Sequence, residues 1–136
     1  MSYIRYKNNN LFVENVSVKR LASKLSTPFY LYSEGNIIEN YKSFSNSFKK
    51  SQPLICFSVK ANSNMQILKV LKKMGSGADV VSGGELLKAI KSGIKPNKIV
   101  FSGVGKTEDE IRLAIRKNIL LINVESENEA ILINKI

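Results

Sequence analysis

The chain has 136 residues, a formal net charge of +10, and 43% hydrophobic residues. This length fits one domain, and the composition is typical of a folded globular protein rather than a disordered one. The chain contains no histidine, which excludes Ser-His-Asp and Cys-His catalysis, and its single cysteine also excludes a zinc site of the His/Cys type. Acid–base or covalent chemistry must therefore come from Lys, Asp, Glu, Tyr, Ser or Cys56.

The positive charge has two interpretations. A basic chain can bind nucleic acid, but the basic residues here are scattered, the densest pairs are Lys49-Lys50 and Lys72-Lys73, and arginine is scarce. We therefore favour a solvated, lysine-rich surface and expect no nucleic-acid partner. The N-terminus has no apolar signal segment, and no apolar run approaches the ~20 residues needed to cross a bilayer. We expect a cytoplasmic protein with no membrane partner.

Residues 1–26 differ in pattern from the rest of the chain and form a predicted N-terminal arm. Residues 8–10 are three asparagines, which predict a turn or a mobile tip, and residues 11–13 predict a short strand. Ser17 is placed to open a short helix whose apolar positions run from Val18 to Leu25.

From residue 27 onward, short apolar runs alternate with longer amphipathic stretches. Runs that begin roughly every 20–25 residues are typical of βα units with short loops. Near-continuous apolar strands suit a parallel sheet buried on both faces. The predicted strands are residues 28–32, 54–59, 78–81, 98–101 and 119–124.

The segments between these strands carry helical spacing, as Ile37, Tyr41 and Phe44 show on one face. Residues 107–110 and 126–129 each fit a capping box, in which a Ser or Thr hydroxyl precedes a Glu by three positions. Five strands, each followed by a helix, indicate an α/β fold. Periodicity leaves two architectures open, a doubly wound sheet or a (β/α)8 barrel that is cut short.

Polar residues cluster where the predicted strands end, which is where βα proteins place their sites. Lys60 follows an apolar strand, so it is either a partly desolvated, nucleophilic amine or a strand-end lysine facing water. Glu85 either orients a cofactor or completes a capping box with Ser82. The glycine pairs 83–84 and 103/105 either let the backbone approach a phosphate or reflect plain loop geometry.

These strand ends carry a family resemblance. Residues 55–64 (ICFSVKANSN) resemble the pyridoxal-phosphate lysine motif of the fold-type-III decarboxylases. Residues 77–86 (GADVVSGGEL), 98–107 (KIVFSGVGKT) and 122–126 (INVES) follow at the family's spacing, and residues 27–32 (TPFYLY) look like its opening strand. Together these motifs are similar to the diaminopimelate decarboxylase family over residues 11–136.

The resemblance implies a site and a reaction. Lys60 matches the lysine that binds pyridoxal 5'-phosphate as a Schiff base, and Asp79 and Glu85 match acidic residues that line the cofactor end of the barrel. The implied reaction is the decarboxylation of meso-2,6-diaminopimelate to L-lysine, the last step of lysine biosynthesis. The implied partner is a small-molecule amino-acid substrate, and the full-length family member is expected to be a homodimer.

The resemblance also favours the barrel. Residues 27–136 would form about five βα units of a partial (β/α)8 TIM-type barrel, and residues 1–26 an arm that pairs with a C-terminal β domain. Family members are much longer, so we expect the isolated chain to be an inactive fragment. Two alternatives stay open: another fold-type-III decarboxylase acting on ornithine or carboxynorspermidine, and a non-catalytic pyridoxal-phosphate-binding barrel protein.

Overall fold

The N-terminal arm is a small antiparallel sheet. The computed structural model describes residues 3–136, so the first two residues of the predicted arm lie outside the described residues. Strands β1 (Ile4–Lys7), β2 (Asn10–Val13) and β3 (Val16–Ser17) pair in the order β1-β2-β3. The predicted strand at 11–13 and the asparagine turn are confirmed, since Asn8 and Asn9 adopt positive φ angles between β1 and β2. The Ser17 side chain caps a short helix, α1 (Val18–Ala22), as predicted.

The second sheet is parallel and decides between the two predicted architectures. Its strands are β4 (Cys56–Ser58), β5 (Gly77–Val80), β6 (Ile99–Phe101) and β7 (Leu121–Ile122), and each pairs with the next strand in sequence. A doubly wound sheet reverses its strand order at a switch point, whereas barrel strands follow one another in chain order. The α/β class and the partial barrel are therefore confirmed.

Five helices accompany this sheet, as predicted: α2 (Glu34–Ser47), α3 (Met65–Lys73), α4 (Gly83–Lys91), α5 (Glu108–Arg116) and α6 (Glu127–Lys135). Short 3-10 turns occupy Val59–Ala61 and Pro96–Lys98. The capping box at Thr107 is complete. At Ser126 the hydroxyl accepts from the Glu129 N–H as predicted, but the Glu129 carboxylate accepts from the N–H of Glu125, one residue before the cap. Among residues 3–136, no helix is long and apolar enough to span a membrane.

The predicted strand at residues 28–32 is wrong. No strand of the described chain pairs with this segment, and the Tyr30 side chain is 90% exposed. A strand is held by its ladder of backbone hydrogen bonds, and apolar content alone does not supply a neighbour. The described parallel sheet therefore has four strands rather than five, although the helix predicted after the missing strand is present as α2.

The arm is attached to the first turn of α2 through Glu14. The Glu14 carboxylate accepts the Ser33 hydroxyl at 2.6 Å and the Gly35 N–H at 2.8 Å. These hydrogen bonds lower the pKa of Glu14, the Ser33 hydroxyl having the largest effect. A Cβ atom at Gly35 would lie only 2.4 Å from the Tyr3 ring, so glycine permits this close approach. The boundary between residues 26 and 27 stays a prediction.

The core lies between the parallel sheet and the helices α3, α4 and α5. Its largest fully buried side chains are Phe101, Leu68, Leu86, Ile99, Ile111, Val59 and Val80. No residue of α2 or α6 is buried. Apolar burial of this kind is the dominant stabilising contribution. The best-anchored part of the chain is therefore the unit from β4 to α5, which also carries the candidate site.

Candidate functional site

The two faces of the parallel sheet have different chemistry. The register pairs Phe57 with Ala78 and Ala78 with Ile99, which places these residues on the face that the helices cover. The same register pairs Ser58 with Asp79 and Asp79 with Val100 on the opposite face. In a closed barrel the face away from the helices is the interior. We call it the inner face, and it carries the polar residues near the carboxyl edge of the sheet.

A row of hydrogen bonds crosses all four strands at this edge. The Asp79 carboxylate accepts the Ser58 hydroxyl through Oδ2 at 3.2 Å and the Ser102 hydroxyl through Oδ1 at 2.5 Å. Asn123 in turn donates its Nδ2–H to the Ser102 oxygen at 3.0 Å. We call Ser58, Asp79, Ser102 and Asn123 the polar row. The family motifs identified Asp79 as a site residue but not Ser58, Ser102 or Asn123. What these residues share is their position at or just after the ends of successive strands, and a motif read one strand at a time does not show this.

Lys60 lies in the 3-10 turn that directly follows β4. Its side chain is exposed, and its role as the cofactor-binding lysine stays a prediction. Within residues 3–136, the ion pairs are Lys106–Glu129 and Arg112–Glu108, and no hydrogen bond engages the Lys60 amine. The amine is thus available to a ligand at the edge of the sheet where Asp79 lies.

The residues after Lys60 in its motif shape the loop. The Asn62 side chain accepts the N–H of Asn64, and the Asn64 side chain accepts the N–H of Gln66, at 3.0 and 2.9 Å. The second of these hydrogen bonds caps α3. Ser63 accepts a hydrogen bond from Lys88 of α4 at 3.0 Å. The polar run therefore ends the turn that carries Lys60 and begins the next helix.

Glu85 serves the local backbone in this structure. Its N–H donates to the Ser82 hydroxyl at 3.2 Å, and its carboxylate accepts the Val81 N–H at 2.9 Å. The arrangement differs from a complete capping box because the carboxylate reaches the residue before the cap. Glu85 thus orders the loop between β5 and α4, and its predicted contact with a cofactor stays a prediction.

The Glu110 carboxylate binds the N-terminus of α4, which begins with the glycine pair 83–84. Its Oε1 accepts the Gly83 N–H at 2.7 Å, and its Oε2 accepts the Thr107 N–H at 3.0 Å. A Cβ atom at Gly83 would lie 3.2 Å from the Glu110 Cγ, so glycine allows this approach. The anion at the N-terminus of α4 is therefore a protein carboxylate, and the Gly83 N–H is not free for a phosphate.

The hydrogen bonds to Glu110 change its acidity. The Gly83 N–H lowers the pKa of Glu110 most, the Thr107 N–H and hydroxyl lower it further, and burial opposes them. The sequence predicts only a capping box between Glu110 and Thr107. The bond to Gly83 of another helix was not visible from the sequence, because it joins residues 27 positions apart.

Lys106 is a buried cation that ties three elements together. Its Nζ donates to the Gly103 carbonyl and the Asn123 carbonyl, both at 2.7 Å, and to Glu129 Oε1 at 2.9 Å. Its side chain is 1% exposed and lies over the Phe101 ring, 5.9 Å from the centroid. Burial acts to raise the pKa of Glu129, but the Glu125 N–H and the Lys106 ammonium lower it overall.

An apolar cleft of about 430 Å³ opens beside the Lys60 turn. Its lining includes Tyr32, Phe44, Phe57, Ala61 and Asn62, and no charged side chain lines it. A cleft without cations does not fit an anionic group such as a phosphate. The chemistry of the site therefore belongs to the polar row and Lys60 rather than to this cleft.

Replacing Lys106 by Met is expected to lower the free energy of unfolding by about 3 kcal/mol, because Glu129 and two carbonyl groups lose a buried partner. Arg112→Gln is the matched control. It removes an exposed ion pair with Glu108 and is expected to cost less than about 1 kcal/mol. Urea unfolding of each variant measures both values, and equal losses would contradict the anchoring role of Lys106.

Stability is expected to fall as the pH drops below 4.5, the ordinary pKa of Glu110. A carboxyl whose pKa is lowered by folding stabilises the folded state above its unfolded pKa, and this contribution is lost as the pH falls through the folded pKa. Glu110→Gln should flatten that part of the curve. Glu127→Gln, at an exposed position with no hydrogen bond from a described side chain, should leave it unchanged. Unfolding measured from pH 7 to pH 3 compares them, and superimposable curves for Glu110→Gln and the unsubstituted chain would refute this account.

Comparison with known proteins identifies the site's relatives. A family model described as pyridoxal-dependent decarboxylase, pyridoxal binding domain, matches residues 34–136. The diaminopimelate decarboxylase of Aquifex aeolicus is 46% identical over 98% of this chain and 31% of its own length. That of Helicobacter pylori strain J99 is 51% identical over 79% of this chain and 27% of its own length.

Solved structures of similar proteins also match this chain. A crystal structure from Aquifex aeolicus is 46% identical with a TM-score of 0.93, over 98% of this chain and 32% of that one. Diaminopimelate decarboxylase from Helicobacter pylori, complexed with L-lysine, is 47% identical with a TM-score of 0.82, over 86% of this chain and 30% of that one. This chain thus spans about a third of the length of these relatives.

The family match covers most of the chain, and the matched residues include Lys60 with its exposed, unpaired amine as well as Asp79 and Glu85. The chain therefore belongs to the pyridoxal-dependent decarboxylase family and carries sequence of its pyridoxal-binding domain.

Proposed function

We propose that this chain supplies the pyridoxal-phosphate-binding lysine of a diaminopimelate decarboxylase, which converts meso-2,6-diaminopimelate to L-lysine and carbon dioxide. The observation that carries the proposal is the Lys60 amine, which lies exposed and unpaired at the carboxyl edge of the parallel sheet. The names of the relatives support this substrate over ornithine or carboxynorspermidine, since those quoted above at 46% and 51% identity are diaminopimelate decarboxylases.

The described residues fit pyridoxal phosphate. Covalent attachment to a carbonyl carbon requires an amine that no neighbouring acid or carbonyl occupies, and Lys60 meets this requirement whereas Lys106 does not. When bound, pyridoxal phosphate serves as an electron sink for the negative charge that remains on the substrate carbon after carbon dioxide leaves. Lys60 would hold the cofactor through Nζ.

The acidic residues have different supporting observations. Asp79 lies on the inner face, on the strand next to that of Lys60, and both its oxygens accept hydroxyl hydrogen bonds. We propose that it places a fixed negative charge at the cofactor end of the barrel. Glu85 would contribute through the loop that it orders after Val81. We also infer that the complete enzyme is a cytoplasmic homodimer, as the family resemblance implies.

The experiment joins this chain to the remaining two thirds of the Aquifex aeolicus relative, in place of the matching segment. We call this fusion the completed enzyme. It should release carbon dioxide from meso-2,6-diaminopimelate, and Lys60→Ala should lower kcat roughly a thousandfold or more, because the attaching amine is lost. Lys60→Arg should fail as well, since a guanidinium stays protonated.

Lys69→Ala is the matched control, because it removes an exposed lysine of α3. This variant should keep the turnover of the unsubstituted fusion. Full turnover in Lys60→Ala would contradict the assignment of the lysine, and faster decarboxylation of ornithine than of diaminopimelate would contradict the assignment of the substrate.

A further inference from the structure

The hydrogen bonds of the polar row have a defined direction. A hydroxyl group has one proton to donate. The Ser102 hydroxyl donates a hydrogen bond to Asp79 Oδ1, while its oxygen accepts a hydrogen bond from the Nδ2–H of Asn123. Donation thus runs from Asn123 through Ser102 to Asp79. The Ser58 hydroxyl completes the row from the other side, but over a longer distance of 3.2 Å against 2.5 Å.

Hydroxyl groups rather than a cation hold the Asp79 carboxylate. Within residues 3–136, Asp79 forms no ion pair, since the two pairs of this region are Lys106–Glu129 and Arg112–Glu108. Hydrogen bonds to an ionised group are shorter and stronger than those between neutral groups. The short bond from Ser102 therefore contributes most to the direction in which the carboxylate points.

The backbone fixes Ser102 and Asn123 next to each other. The Ser102 N–H donates to the Val80 carbonyl at 2.8 Å, and the Asn123 N–H donates to the Phe101 carbonyl at 2.9 Å, so both residues extend the ladder of the sheet. The buried Lys106 ammonium binds the carbonyls of Gly103 and Asn123. Backbone hydrogen bonds and the buried Lys106 ammonium therefore hold the donor side of the row, Ser102 and Asn123, in place. Incidental surface contacts would lack this support.

We propose that Ser102, oriented by Asn123, is a positioning residue that aims the Asp79 carboxylate and so sets where negative charge lies beside Lys60. This inference rests on the proposed function and deepens it, because the charge matters only if Lys60 holds the cofactor. Ser102 acts through Asp79 and is not itself assigned a contact with substrate.

The test uses the completed enzyme with pyridoxal phosphate and a double-mutant cycle. Ser102→Ala should lower kcat about tenfold with little change in KM, since one charge-assisted hydrogen bond is lost. It should also shift the visible absorbance of the bound cofactor. Ser102→Thr keeps the hydroxyl and should restore most of the lost kcat. Ser58→Ala, which removes the longer bond, should have the smaller effect.

The cycle separates positioning from general stability. If Ser102 acts through Asp79, then Ser102→Ala should have no further effect on kcat or absorbance in the Asp79→Asn background. Asn123→Asp provides a second variant at an exposed position, should Ser102→Ala fold poorly. It replaces the donor to Ser102 with an acceptor that competes for the same proton, so it should reproduce the loss seen in Ser102→Ala.

The outcomes are distinguishable. Independent effects of Ser102→Ala and Asp79→Asn, or unchanged kcat and absorbance in both Ser102→Ala and Asn123→Asp, would overturn the positioning role. Borohydride reduction followed by peptide mapping reports on the proposed function separately. A pyridoxyl group on Lys60 together with an inert Ser102 would refute this inference alone, whereas an unlabelled Lys60 in the unsubstituted fusion would refute the proposed function.

Discussion

The buried Lys106 ammonium is the interaction on which the carboxyl edge of the parallel sheet depends. It joins the loop after β6, the end of β7 and helix α6 through Gly103, Asn123 and Glu129. A buried cation is costly unless acceptors surround it, and here two carbonyls and a carboxylate do so. Because these acceptors come from three elements, the ends of β6 and β7 are linked to each other and to α6. Ser102 and Asn123, the donor side of the polar row, lie beside this anchor.

The division of the sheet into two faces explains why the site lies where it does. Residues such as Ala78 and Phe101 turn towards the helices and form the core, so the alternate residues must turn the other way. Asp79 occupies one of these alternate positions, and Ser102 and Asn123 continue the pattern past the ends of their strands. One-residue slips would send the carboxylate into the apolar core. The register that stabilises the fold is thus the register that assembles the site.

Local sequence signals predicted the helices well, whereas contacts between residues far apart in the sequence could not be predicted from them. The start of α5 could be predicted from a capping box, because its partners, Thr107 and Glu110, lie only three residues apart. The apolar run at 28–32 looked like a strand, but a strand depends on a neighbour that no local pattern reveals. Lys60 and Asp79 were found through motif similarity. The bonds of Lys106 to Asn123 and Glu129, and the bond that the Gly83 N–H donates to Glu110, were missed, because they join positions 17 to 27 residues apart.

The central claim is that Lys60, and no other lysine of this basic chain, is the attachment point for pyridoxal phosphate. A crystal structure of the fusion grown with pyridoxal phosphate tests it most directly. The account predicts continuous density from Lys60 Nζ to the cofactor, with the Asp79 carboxylate still accepting the hydroxyls of Ser58 and Ser102. Density joined to a different lysine, or a cofactor bound away from the carboxyl edge of the sheet, would contradict it.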